Sequence, residues 1–119
     1  VPLLTLDTKK ISFVIDSLIE NAILYTQAGG EVSIDSTCDG QKLILLVEDN
    51  GMGLTFTDKM RIFSRFYRNK EAVLKNPDGM GLRLYLSKEI IKRHNGNIYI
   101  KSNKGNKGVT FFVELPFSR

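Results

Sequence analysis

Val47-Glu48-Asp49-Asn50-Gly51-Met52-Gly53 ends an apolar run on an acid and follows it with two glycines at alternate positions. The run Leu43 to Val47 is long enough for a central strand, so the acid falls at a strand end, on the rim of a sheet. A carboxylate placed there accepts hydrogen bonds, and neighbouring glycines take positive φ and let backbone approach a flat ring closely. Those properties suit a ring that carries an amine, such as adenine. An ordinary tight turn has the same composition, and the heptapeptide alone does not separate the two.

Working outward, Asp39-Gly40 signals a two-residue hairpin that delivers Leu43 to Val47 from an earlier strand. In that earlier strand Val32, Ile34 and Cys38 alternate with Glu31, Ser33, Asp35 and Thr37, which predicts a half-buried strand with Cys38 in the core. Upstream, Ile11, Val14, Ile15, Leu18, Ala22 and Tyr25 repeat at helical spacing, capped by Asp7 or Thr8 and ended by Gln27-Ala28-Gly29-Gly30. Ser17 and Asn21, four apart, form a polar stripe beside that core face. Leu3, Leu4 and Leu6 suit a short first strand.

Downstream, Thr57 or Asp58 can cap a short helix with Met60, Ile62 and Phe63, and Asn69 to Asp78 is polar and broken by Asn76-Pro77. So long an irregular stretch inside a compact domain reads as a lid or a disordered loop. Leu82, Leu86 and Ile90 then space a second long helix, ending at Asn95-Gly96. Ile98 and Ile100, a turn from Gly105 to Gly108, and Val109 to Leu115 form another hairpin. The order predicts an α+β two-layer sandwich with a mixed sheet of about five strands and helices on one face.

The 119 residues are 42% hydrophobic and 25% charged, which is one ordinary globular domain spanning 1–119. No apolar run approaches the roughly 20 residues that span a bilayer, and Val1 opens no signal peptide, so the piece is expected to be soluble and cut from a larger protein. A net charge of +4 and a pI near 9.3 admit a nucleic acid, an anionic membrane surface or a phosphate ligand. Phe63, Phe66 and Tyr67 sit in a helical-looking segment and no reader motif is present, which leaves nucleic acid without support. Cys38 is the single cysteine, so a disulfide frame and a cysteine metal site are excluded and a reducing compartment is expected.

Ser17-Leu18-Ile19-Glu20-Asn21-Ala22, Asp49 to Gly53, Ile62-Phe63-Ser64-Arg65-Phe66-Tyr67-Arg68 and Gly79-Met80-Gly81-Leu82-Arg83-Leu84 stand in this order along nearly the whole chain. The set resembles the N, G1, F and G2 boxes of the catalytic ATP-binding domain of sensor histidine kinases, a branch of the Bergerat-type ATPases. The resemblance implies a Bergerat fold with a mobile ATP lid at about 54–80. It implies ATP and Mg²⁺ as ligands, with Asn21 as the metal ligand and Asn21 and Arg68 in catalytic positions; Arg83 is counted with them as this chain's own candidate, outside the family pattern. It places Tyr25, Asp49, Gly51, Gly53, Phe63, Arg68, Gly79, Met80, Gly81, Leu82 and Thr110 around the nucleotide. Asp49 would accept from the adenine amine, and Gly79 and Gly81 would bring phosphates to a helix N-terminus, where amides are unpaired and the dipole favours negative charge. Phe63, Phe66 and Tyr67 suit either a ligand contact or an anchor for the lid base.

Two residues depart from the pattern: Arg83 stands where the family commonly has a third glycine, and Leu24 where it often has a lysine. Arg83 is expected to supply the cation that Leu24 lacks, with outward snorkelling or obstruction of the pocket as the alternatives. Ser17 occupies the position of the water-activating glutamate in the related gyrase, mismatch-repair and chaperone ATPases. Glu20 lies about 100° around the helix from Asn21. A domain without its own base suits phosphoryl transfer to an outside nucleophile more than hydrolysis. His94 reads as a helix-end residue, so the acceptor histidine is expected on a separate or N-terminal dimerisation domain, with a response regulator next. By the same resemblance the parent is membrane-anchored and this domain cytoplasmic, with no membrane contact of its own. A nucleotide-binding or protein-interaction module that has lost transfer activity is the alternative reading. A self-contained gyrase-class ATPase is the third.

Overall fold

The computed structural model describes residues 6–26, 28–68 and 81–117. Among them, helix α1 (Thr8–Tyr25) leads into a hairpin of β1 (Val32–Cys38) and β2 (Lys42–Asp49). A short helix, α2 (Phe56–Arg61), follows, and the chain resumes with α3 (Arg83–Arg93), β3 (Asn97–Ser102) and β4 (Val109–Pro116). The strands form one four-stranded sheet in the order β1-β2-β4-β3. A further strand expected at Leu3 to Leu6 lies almost wholly outside the described residues.

The expected mixed sheet is antiparallel in every described pairing. The connection through α3 does make β3 run parallel to β2. However, β4 inserts between them and pairs antiparallel with both, so no parallel pair is hydrogen-bonded.

Asp7 caps α1 by accepting from the Lys10 amide at 3.1 Å. Ile11, Val14, Leu18 and Ala22 of α1 and Ile91 of α3 bury against Val47, Ile98, Phe111, Val113 and Leu115 on one face of the sheet. Both helices occupy that face, as the two-layer expectation requires. The turn between β1 and β2 is centred on Gly40-Gln41, one residue later than the Asp39-Gly40 reading. Asp39 instead opens the turn, its Oδ1 accepting from the Gln41 and Lys42 amides at 3.0 Å.

Cys38 is exposed, contrary to the core position expected from alternation. The alternation itself is real, because Ile34 and Cys38 pair with the inward-phase residues Val47 and Leu43. Their strand lies at the sheet edge beyond the helices, and Ile34 is 56% exposed. At an edge, facing inward does not mean being covered.

Helix α2 is capped by Thr55, whose Oγ1 accepts from the Asp58 amide at 3.1 Å, and not by Thr57 or Asp58. Asp58 is used elsewhere, accepting from the Tyr67 hydroxyl. At the far end of α3, His94 Nδ1 donates to the Ile90 carbonyl at 2.8 Å and Nε2 accepts from the Asp7 amide at 3.1 Å. That ring ties the start of α1 to the end of α3, the helix-end role expected of it. Among the described residues no helix is long and apolar enough to cross a membrane.

Candidate nucleotide site

Asp49 is the last residue of β2 and only 1% exposed. Its Oδ1 accepts from the Gly51 amide at 2.9 Å and from the Val109 amide at 3.4 Å. Its Oδ2 is buried and has no partner among the described residues. Burial pushes the Asp49 carboxyl above the usual carboxylate range, against the lowering effect of the two amides. A buried carboxylate oxygen without a donor costs on the order of 1–3 kcal/mol, and proteins retain such atoms where a ligand supplies the donor.

Asn21 sits on α1 between two contact points. One turn later, a Cβ on Gly51 would overlap the Tyr25 carbonyl, so the loop after Asp49 lies directly on the end of α1. One turn earlier, the Ser17 hydroxyl donates to the Phe13 carbonyl at 2.7 Å and accepts from Arg83 Nε at 3.1 Å. Residues 17, 21 and 25 share one helix face, so Asn21 lies between the Asp49 loop and the start of α3. Its Nδ2 is buried and likewise unpartnered among the described residues. A half-turn of the amide brings Oδ1 to the same spot, so the group fits a cation as well as an acceptor.

The α3 end of the site is also assembled. Gly81 has φ 69°, and a Cβ there would press on the Tyr67 carbonyl, Phe66 and the Cγ of the half-buried Arg68. The Gly81 carbonyl accepts from the Phe66 amide at 2.9 Å, fixing the F-box segment beside the helix start. Leu82 precedes α3 without a side-chain cap. Gly79 and Met80 lie outside the described residues.

Several expectations receive a different physical content. Gly51 is required by the Tyr25 backbone beneath it, while Gly53 takes φ 76°. The Tyr25 side chain is 2% exposed, within the core. Phe63 packs edge-on against the core ring of Phe111 with centroids 5.9 Å apart. Arg83 turns back over α1. Its guanidinium lies 4.8 Å from the Phe13 ring centroid and 3.4 Å from Glu20 Oε2, an ion pair at the exposed surface of α1. Leu24 packs half-buried against the core.

The sequence reading missed Asn103 and Gly108. The Asn103 Nδ2 donates to the Asp49 carbonyl at 2.8 Å and to the Lys107 carbonyl at 3.2 Å, while Oδ1 accepts from the Thr110 hydroxyl at 2.7 Å. Gly108 has φ 90° and leaves no room for a Cβ against the Asp49 carbonyl. Its glycine was visible in the sequence, but its neighbour was not.

Residues 6–119 match the family model described as histidine kinase-, DNA gyrase B-, and HSP90-like ATPase. The chain belongs to this family. Within it the similarity is to sensor histidine kinases. The alginate biosynthesis sensor protein KinB of Pseudomonas aeruginosa is 39% identical over 97% of this chain and 18% of its own length. The sensor histidine kinase WalK of Bacillus subtilis is 38% identical over 94% of this chain and 18% of its own length. The chain thus spans under a fifth of the length of these relatives. Among solved structures, a nucleotide-free catalytic domain of the histidine kinase ThkA superposes with a TM-score of 0.79 at 30% identity, covering 93% of this chain and 69% of that one. Full-length ShkA in complex with AMPPNP gives 0.81 at 25% identity, over 99% of this chain and 24% of that one. The chain therefore has the catalytic-domain architecture of sensor histidine kinases.

Proposed function

We propose that this domain binds Mg-ATP and transfers the γ-phosphoryl group to a histidine on a separate or N-terminal dimerisation domain, in two-component signalling. The observation that carries the reading is the Asp49 carboxylate. Two amides fix one of its oxygens, while the other is buried without a donor, the arrangement an adenine amine would complete.

In this reading Asp49 Oδ2 accepts from the amine, and Gly51 and Gly53 hold the loop that presents it. Asn21 would hold magnesium through its amide oxygen. Among the described residues no three acidic, histidine or cysteine side chains gather to cage an ion, so phosphates and water would complete the coordination. Magnesium supplies charge neutralisation on the phosphates. Arg68 and the amides at the start of α3, with Gly79, Met80, Gly81 and Leu82, position the terminal phosphate, and Phe63 anchors the lid base. Thr110 acts through Asn103.

Transfer breaks the bond between the γ-phosphorus and the bridging oxygen and forms a phosphorus–nitrogen bond at the acceptor imidazole, leaving ADP. His94 has both ring nitrogens engaged by backbone, so the acceptor belongs to another domain. A response regulator would receive the group next, in a membrane-anchored parent whose catalytic part is cytoplasmic. Ser17, with its hydroxyl already donated to Phe13, offers no general base for water.

One observation favours the second reading, a nucleotide-binding module without transfer: Arg83 is drawn onto Glu20 and Ser17, and Leu24 offers no replacement charge. Labelled ATP mixed with this domain and the parent's acceptor domain separates the two. Label on the acceptor histidine is the expected result; nucleotide binding without label would establish the second reading.

A further inference from the structure

Resting on the nucleotide reading above, we propose that Asn103 is the positioning residue that sets Asp49 for recognition of the base amine. Asp49 is held at three points. Its Oδ1 takes the Gly51 and Val109 amides, and its main-chain carbonyl takes Asn103 Nδ2 at 2.8 Å. The first two bonds fix the plane of the carboxylate relative to its own loop and to β4. The third fixes the strand end that carries the residue. All three leave Oδ2 as the open acceptor.

Asn103 can do this because its own amide is fixed from both sides. One Nδ2 proton goes to Asp49 and the other to the Lys107 carbonyl, while Oδ1 is locked by the Thr110 hydroxyl. The adjoining Ser102 is held by Lys59 Nζ at 2.6 Å, so the end of β3 is pinned to α2 as well. Ser102 pairs across the sheet with Val109, whose amide reaches Asp49. Gly108 completes the clamp by admitting the Asp49 carbonyl where a Cβ would stand. An amide is the side chain that serves here: a carboxylate would accept from Thr110 but would face the Asp49 carbonyl with no proton to give.

The positioning role concerns one contact of the nucleotide, the 6-amino group, and so predicts a change in selectivity over and above any change in affinity. The test measures dissociation constants of the 119-residue chain for ATP and for purine riboside triphosphate, which has hydrogen in place of that amine. The unaltered chain should prefer ATP. Asn103→Ala should lower that preference about tenfold while binding of the purine analogue changes little. If Asn103→Ala does not melt cooperatively, Asn103→Asp reads the same ratio at nearly unchanged side-chain volume. A ratio that survives substitution, whether both ligands weaken equally or neither changes, overturns the positioning role. No preference in the unaltered chain would instead overturn the assignment of Asp49 to the base, and the inference with it.

Discussion

At Asp49 folding and binding pull in opposite directions. The folded state holds this proton to higher pH than the unfolded chain does, because burial raises the carboxyl. Stability is therefore lost as pH rises from the ordinary carboxylate range through the raised value, and the ionised group carries the penalty above that window. Asp49→Asn should abolish that pH dependence and make the domain more stable at neutral pH, as urea melts across pH would record. The same variant should lose on the order of tenfold or more in ATP affinity, because its amide nitrogen would face the base amine donor to donor. A gain in stability with a loss in binding marks a residue retained for its ligand. Gly108→Ala is the converse case: its φ of 90° and the Asp49 carbonyl beside it leave a Cβ no place. A loss of about 1–3 kcal/mol should appear in denaturant melts, together with weaker ATP binding.

At the scale of elements, the sheet's outer face carries its own titrating cluster. Glu114 joins β4 to β2 through Lys42 Nζ at 2.9 Å and to β3 through the Tyr99 hydroxyl at 2.6 Å. The Glu114 bond pushes the Tyr99 hydroxyl up to about 12 from an ordinary 10.0. The unfolded chain ionises there first, so the contribution is complete below pH 10 and is lost as pH rises toward 12. Tyr99→Phe should flatten this alkaline loss, measurable by circular dichroism melts between those limits. The elements also show what a sequence makes legible. Helical spacing identified α1 and α3, alternation identified β1 and β3, and a continuous apolar run identified β2, because each of these is a local property. Cys38 had the inward phase and lies exposed, since cover at a sheet edge depends on where distant helices end. The clamp on Asp49 was hidden for the same reason: Asn103 reaches it across 54 residues of chain. Arg83 meets Glu20 and Ser17, residues of an earlier motif whose contact with it depends on how α1 and α3 pack.

Across the whole molecule, α1 serves both the core and the site. Leu18 is 1% exposed in the core, on the same helix that carries Ser17, Asn21 and the Tyr25 carbonyl on the site's side. Leu18→Ala should cost about 2–5 kcal/mol in urea melts, a large share of a small domain's stability. Because the Asp49 loop, Asn21 and the start of α3 all bear on that one helix, a nucleotide touching all three should stabilise the fold as a unit. The most direct test of the account is calorimetric titration of Mg-ATP into the 119-residue chain and into Asp49→Ala. The account predicts saturable binding by the unaltered chain and an affinity at least about tenfold weaker in the variant. Equal affinities in the two proteins would contradict it.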